Sequence, residues 1–252
     1  MTTNAPGEWF ESFFGEMYGR VVVASFTPER TLAQARLVRR LLRLRKGERV
    51  LDVPCGQGRL TIPLAQAGLA MTGVDLSAAY LRAARAAARR EGARAKLLRR
   101  DMRRIEFDSE FDAAFNYFTS IGYFSDEENL DFCRRVLRAL RPGGRFLVET
   151  LNRPWILSRF LRRSRDQVGD VTVLHRSRWN VSACRSEDTW TFRRGKRTET
   201  HRISVRLYSG ADLRRLLEEA GFEAVRLWGI PPLRPLTRAS RRLIAVARRP
   251  RL

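Results

Sequence analysis

The stretch VLDVPCGQGRL, residues 50–60, constrains this chain more than any other. An apolar run ends on Asp52, passes through Gly56-Gln57-Gly58 and opens a helical pattern. Glycine tolerates positive φ and lets a ligand lie against bare backbone, and the helix that follows offers N–H groups without internal partners. A strand, a glycine loop and a helix in that order make the first unit of an open α/β sheet with a ligand at its edge. A dinucleotide fingerprint would place a third glycine where Thr61 stands, and a P-loop would carry Lys and then Ser or Thr after its last glycine. Neither pattern is present.

The same rhythm continues downstream. Strands are predicted over 49–53, 70–75, 96–100, 112–117 and 145–150, and helices over 59–67, 78–90 and 127–140. Short apolar strands alternating with amphipathic helices give a mainly parallel sheet covered on both faces, and RPGGR, 141–145, turns the chain from helix into strand. Ahead of this core lies a helical segment rich in Trp9, Phe10, Phe13, Phe14 and Tyr18. After residue 150 the pattern changes: 152–170 reads as helical and irregular, and VTVLHRSRW, TWTFRR and THRISVRLY read as three antiparallel β runs. A helix over 210–220 and strands over 223–228 and 241–247 return to the main sheet, with PPLRP as a bend. The expected organisation is a helical lid (1–47), a Rossmann-like core (48–151), an antiparallel cap insertion (152–209) and a C-terminal part (210–252) that completes a seven-stranded α/β sheet.

The chain has 252 residues and a formal charge of +22, from 49 Lys plus Arg against 27 Asp plus Glu. Only Lys46, Lys96 and Lys196 are lysine. GC-rich codon usage produces that arginine bias without selection for binding. The charge is uneven, −3 over 101–150 but +9 over 151–210 and +8 over 226–252. In the first half Arg36, Arg39, Arg40 and Arg43, and Arg82, Arg85 and Arg89, recur at helical spacing opposite Leu and Ala, the pattern of a solvated face. Such a field bears on encounter with RNA or an acidic small molecule rather than on chemistry. Cys55, Cys133 and Cys184 have no metal-ligand or disulfide-framework spacing, so no metal is expected and a reducing cytoplasm is the expected setting. No run of about 18 apolar residues predicts a membrane span, and the first residues lack an export pattern.

Acidic and polar residues recur where strands end. Asp75 follows Gly58 by 17 residues, where a carboxylate can accept both hydroxyls of a ribose. Asp101-Met102 follows the third strand, an acceptor for an exocyclic amine beside an apolar contact, and Asn116 ends the fourth. Here the sequence resembles the class I S-adenosylmethionine-dependent methyltransferases over about residues 8–250, in the ordered phrases VLDVPCGQGR, GVDLS, RRDMRRIEFDSEFDAAFNYFTSIGYF and LRPGGRFLVET. RLYSGADLRRLLEEAGFEAV is similar to the closing helix and strand of a bacterial small-molecule subgroup. The resemblance implies S-adenosyl-L-methionine as cofactor. Asp52 and Gly56, Gln57 and Gly58 would then hold its methionine moiety, Asp75 its ribose, and Asp101 and Met102 its adenine, while Asn116 and Phe118 border the sulfonium. Pro54 and Leu76 complete this cofactor-binding set. Pro54 stands where the family often has a small residue, so the loop backbone is expected to differ slightly.

Methyl transfer from a sulfonium is an in-line displacement, and orientation alone supplies part of about 7–11 kcal/mol. A base is needed only for an acceptor protonated at neutral pH. The two histidines, His175 and His201, both fall in the insertion, and His201 is the better candidate because THRISVRLY resembles a substrate-facing cap. Tyr18 and Tyr123 join it as catalytic candidates, since buried phenols need partners; Phe13, Phe14, Trp155, Trp179 and Trp190 are further candidates to line the acceptor pocket. The expected function is methyl transfer to O, N or C of a small organic molecule. The alternative is an RNA methyltransferase using the basic surface, although Asn116-Tyr117-Phe118-Thr119 is not the loop of many base-amino methylases. A third reading is a non-catalytic cofactor-binding module. A basic cap of Arg176, Arg178 and Arg202 would favour an anionic acceptor. The sequence leaves oligomeric state open.

Overall fold

The computed structural model describes residues 9–251, so the first eight residues of the expected lid lie outside the described residues. The N-terminal segment, expected to be a lid, comprises α1 (Trp9–Phe13), α2 (Glu16–Val21) and α3 (Pro28–Leu41). Alternation then runs through β1 (Arg49–Asp52), α4 (Thr61–Gln66), β2 (Ala70–Asp75), α5 (Ala78–Arg90), β3 (Ala95–Arg99), β4 (Phe111–Asn116), α6 (Asp126–Ala139) and β5 (Leu140–Leu151). Helix starts follow local chemistry. Thr27 accepts the Arg30 N–H with Pro28 in the first turn of α3, Ser77 caps α5, and Ser125 with Glu128 forms a capping box on α6. Leu81, Ala84 and Ala88 of α5 and Phe132, Cys133, Val136 and Ala139 of α6 are the buried stripes that hold these helices to the sheet.

The insertion contains α7 (Arg153–Ser158), β6 (Arg163–Val168), β7 (Val171–Asn180), β8 (Arg185–Arg194) and β9 (Arg197–Arg206), and the chain closes with α8 (Gly210–Glu219), β10 (Glu223–Ile230), β11 (Arg234–Pro235) and β12 (Arg242–Arg248). The main sheet runs β11-β10-β12-β5-β4-β1-β2-β3. It is parallel from β5 to β3 and antiparallel where β12 and β10 join. It therefore has eight strands, not seven, because two residues of the expected PPLRP bend pair with β10.

The second sheet is β6-β7-β8-β9, antiparallel throughout. Residues 163–168, expected to be irregular, form its first strand. That strand has no apolar alternation and is mostly exposed; hydrogen bonding to β7 across the Gly169-Asp170 turn holds it in place. The insertion returns to where it left: Asn152 forms a β-bridge with Tyr208, and the Arg153 N–H donates to the Tyr208 carbonyl at 2.9 Å. Its inner face packs on α1, with the Phe13 ring 5.3 Å from Trp190, 5.7 Å from His201 and 6.3 Å from Phe192. On its other side α1 meets the loop after β4, Trp9 against Tyr123 (4.9 Å) and Phe10 against Phe124 (5.3 Å). Among the described residues no helix is long and apolar enough to cross a membrane.

The loop after β4 meets the second sheet at Gly122, whose carbonyl accepts the Arg206 N–H at 2.8 Å. Gly122 has φ +108°, and a Cβ there would collide with the Arg206 carbonyl oxygen. Gly122→Ala should therefore cost about 1–3 kcal/mol, the usual range for overpacking, with added backbone strain. A urea denaturation midpoint equal to that of the wild type would overturn this account of the junction.

Candidate active site

A cavity of about 490 Å³ opens at the carboxyl ends of β1 to β4, beneath α1 and α2. That volume suits a ligand the size of a nucleoside derivative. Its floor is the glycine loop. Gly56 (φ +55°) turns a bare Cα toward open space, and Gly58 (φ +77°) lets α4 and α5 approach, since a Cβ would press on Ile62 and Ala84. Asp75 braces the loop, one carboxylate oxygen accepting the Gly56 N–H and the other the Ser77 N–H, each at 2.8 Å. Burial pushes its carboxyl upward, opposed by these backbone bonds.

Asp52 is only 2% exposed and accepts the Thr61 hydroxyl at 2.5 Å. Burial raises its carboxyl to about 8 against that hydrogen bond, and an ammonium brought beside it would restore the charged form. Asp101 has a different setting. Burial would raise it, but the Arg103 hydrogen bonds, from the backbone N–H, Nε and Nη2, outweigh burial and hold it below the usual range. Arg103 also pairs with Glu128 at 2.8 Å and lies over the rings of Phe124 and Phe10. The carboxylate expected at the adenine is thus tied to α1 through Arg103.

Pro54, Gln57, Leu76, Met102 and Phe118 line the cavity with Asp52, Gly56, Asp75 and Asp101. Asn116 does not: it is fully buried below the floor, donating to the Val53 carbonyl (2.8 Å) and accepting the Ile121 N–H (3.0 Å). Phe118 and Thr119 have φ +69° and +67°. Glu149 holds them, its carboxylate accepting the Phe118 N–H at 2.8 Å and its carbonyl the Thr119 N–H at 3.1 Å, while Arg242 pairs with that carboxylate and lies over the Phe118 ring.

Tyr18 and Tyr123 line the cavity. Burial pushes both phenols up, Tyr123 to about 12, so each is a protonated hydrogen-bonding group at neutral pH and not a base. His201 does not line the cavity. It sits behind Phe13, 3.8 Å from Glu199, because the β8–β9 register puts it opposite Trp190 on the face packed under α1. His175 lies on the same face, 3.6 Å from Asp166. Arg176 and Arg202 flank Thr189 on the opposite, exposed face, and Arg178 pairs with Glu187 at 2.6 Å. The expected basic cap therefore points away from the cavity.

Sequence reasoning missed Tyr80, Tyr117, Arg59 and Phe26, all of which line it. The hydroxyls of Tyr80 and Tyr117 are buried without a protein partner. Orphaned phenols, an exposed glycine backbone and strand-end carboxylates fit a polar ligand with ribose, amine and base groups. Among the described residues no group of three or more His, Cys, Asp or Glu is placed to hold a metal ion.

The fold is that of the class I S-adenosylmethionine-dependent methyltransferases. A structure described as such an enzyme from Clostridium acetobutylicum superposes with a TM-score of 0.78 at 16% identity, covering 96% of this chain and 99% of that one. The 1,6-didemethyltoxoflavin-N1-methyltransferase of Burkholderia thailandensis, solved with 1,6-didemethyltoxoflavin and S-adenosylhomocysteine bound, gives 0.64 at 20% identity over 99% and 92% of the two chains. Residues 50–144 match the family model described as a methyltransferase domain. A ubiquinone biosynthesis O-methyltransferase of Nitrosococcus oceani is 35% identical over 111 residues, 42% of this chain and 45% of that protein. The chain spans less than half the length of the curated relatives it matches.

Asp52 has a sign that can be checked. Its folded value lies above its unfolded one, so its contribution is fully present below about pH 4 and is lost as pH rises toward 8. In ligand-free protein, Asp52→Asn should gain stability relative to wild type steadily between those limits. Parallel melting-temperature profiles for the two proteins from pH 4 to 8 would contradict it.

Proposed function

We propose that the protein transfers the methyl group of S-adenosyl-L-methionine to a small organic molecule. The observation that carries this reading is the cavity whose walls combine Asp52, Asp75 and Asp101 from successive strand ends with Tyr80 and Tyr117, whose hydroxyls are unpartnered. Asp75 and the Gly56 backbone would hold the ribose and methionine end, and Asp101 with Met102 the adenine. When bound, the cofactor supplies an electrophilic methyl group. Tyr18, Tyr123 and Phe118 would border that group and exclude water from it. Among the described residues no histidine lines the cavity, so catalysis here rests on placement of the acceptor rather than on a histidine base. An acceptor already nucleophilic at neutral pH suits such a site.

The roofed cavity favours a small acceptor over RNA, because Arg176 and Arg202 face away from it. The bound 1,6-didemethyltoxoflavin of the Burkholderia thailandensis neighbour supports a small acceptor by analogy. This reading assigns the protein to the cytoplasm, in keeping with three free cysteines.

Titration calorimetry should show S-adenosylhomocysteine binding, weakened at least about tenfold by Asp75→Ala, the size expected for lost hydrogen bonds to a charged group. Protein incubated with methyl-labelled cofactor and metabolite extract should label a low-mass product. Label confined to RNA, with binding that falls steeply in salt, would favour the nucleic-acid alternative.

A further inference from the structure

Resting on that reading, we propose that Arg59 and Tyr117 form a seat for a carboxylate at the β1–β4 end of the cavity. Arg59 follows Gly58 directly, so the glycine loop itself carries it to the cavity wall. Its Nη1 donates to the Gln34 side-chain oxygen of α3 at 2.5 Å, and its guanidinium stacks 4.2 Å from the centroid of the Phe26 ring. That hydrogen bond occupies one of the five N–H groups a guanidinium offers. Other inward arginines are each satisfied. Arg242 pairs with Glu149, Arg103 with Asp101 and Glu128, Arg206 with Asp126, and Arg185 donates to the carbonyls of Gly122, Tyr123, Phe124 and Ser204. Arg59 alone of this group faces the cavity with no carboxylate in ion-pair range among the described residues.

A cation withdrawn from water without a counter-ion is costly, and burial already pulls the Arg59 guanidinium below its usual range. Tyr117, whose hydroxyl is buried and unpartnered, lines the same cavity as Arg59. A planar fork beside a protonated phenol matches a carboxylate, which accepts two parallel N–H bonds and a third from the hydroxyl. Phe26 and Phe118, edge to face at 4.8 Å, form the apolar border of the seat. The carboxylate has two sources of one chemistry, the methionine end of the donor or the acceptor.

The test measures binding to wild type, Arg59→Gln, Arg59→Lys and Tyr117→Phe, each first shown to melt cooperatively. The probes are S-adenosylhomocysteine, its decarboxylated analogue S-adenosyl-3-thiopropylamine, and benzoate with and without saturating S-adenosylhomocysteine. If the donor fills the seat, wild type prefers S-adenosylhomocysteine to the analogue, Arg59→Gln loses at least tenfold for the former only, and Arg59→Lys recovers part. If the acceptor fills it, Arg59→Gln leaves S-adenosylhomocysteine unchanged and loses benzoate. Tyr117→Phe should weaken the same probe several-fold. The seat is overturned if Arg59→Gln weakens both adenosine ligands equally, or affects no probe. Failure of wild type to bind either adenosine ligand would instead remove the cofactor reading, and benzoate binding to the free protein would still decide the seat.

Discussion

The buried pair of Glu149 and Arg242 is the contact on which the cavity wall depends. Glu149 is wholly inaccessible near the end of β5, and Arg242 opens β12 beside it. Two charges taken out of water are tolerable only when their remaining polar atoms are also matched. Here the carboxylate takes the Phe118 N–H and the guanidinium gives its second nitrogen to the Thr119 hydroxyl at 2.6 Å. The ion pair therefore stabilises two consecutive residues in the left-handed region, where non-glycine residues are uncommon. That conformation places the Phe118 ring against the cavity between Arg242 and Phe26.

Helix α1 is coupled to the same floor by a second arginine. Arg103 joins the strand-end carboxylate of Asp101 to Glu128 in the capping box of α6, and its flat face carries Phe10 of α1 and Phe124. The seating of α1 and the orientation of the Asp101 carboxylate are consequently one arrangement. Other arginines do no such work: Arg176 and Arg202 sit on the outer face of the second sheet.

The core was legible because its periodicities are strong. Burial on one stripe of α5 and α6, and nearly continuous burial of β1, β2 and β4, reproduce the apolar pattern of the sequence. Asp52, Asp75, Asp101 and Met102 were legible because parallel strands deliver their last residues to one edge. Asn116 looked the same but is consumed by backbone groups, a distinction that depends on which side of β4 its amide faces. The place of His201 depends on the β8–β9 register, and the strand nature of 163–168 on pairing with β7; neither is a local property. Arg59 and Arg103 were hidden by composition, since among so many arginines no single one stands out until its partners are known.

The bridge between Asn152 and Tyr208 gives the second sheet an unusual independence. Four strands leave and rejoin the parallel core at adjacent points, so the core's ends would still meet if the excursion were shorter, longer or replaced. Closing a loop depends only weakly on its length. Selection can therefore remodel the second sheet behind α1 by insertion and deletion while the strand-end carboxylates of the core stay in place, which makes this junction a natural seam for divergence or for grafting.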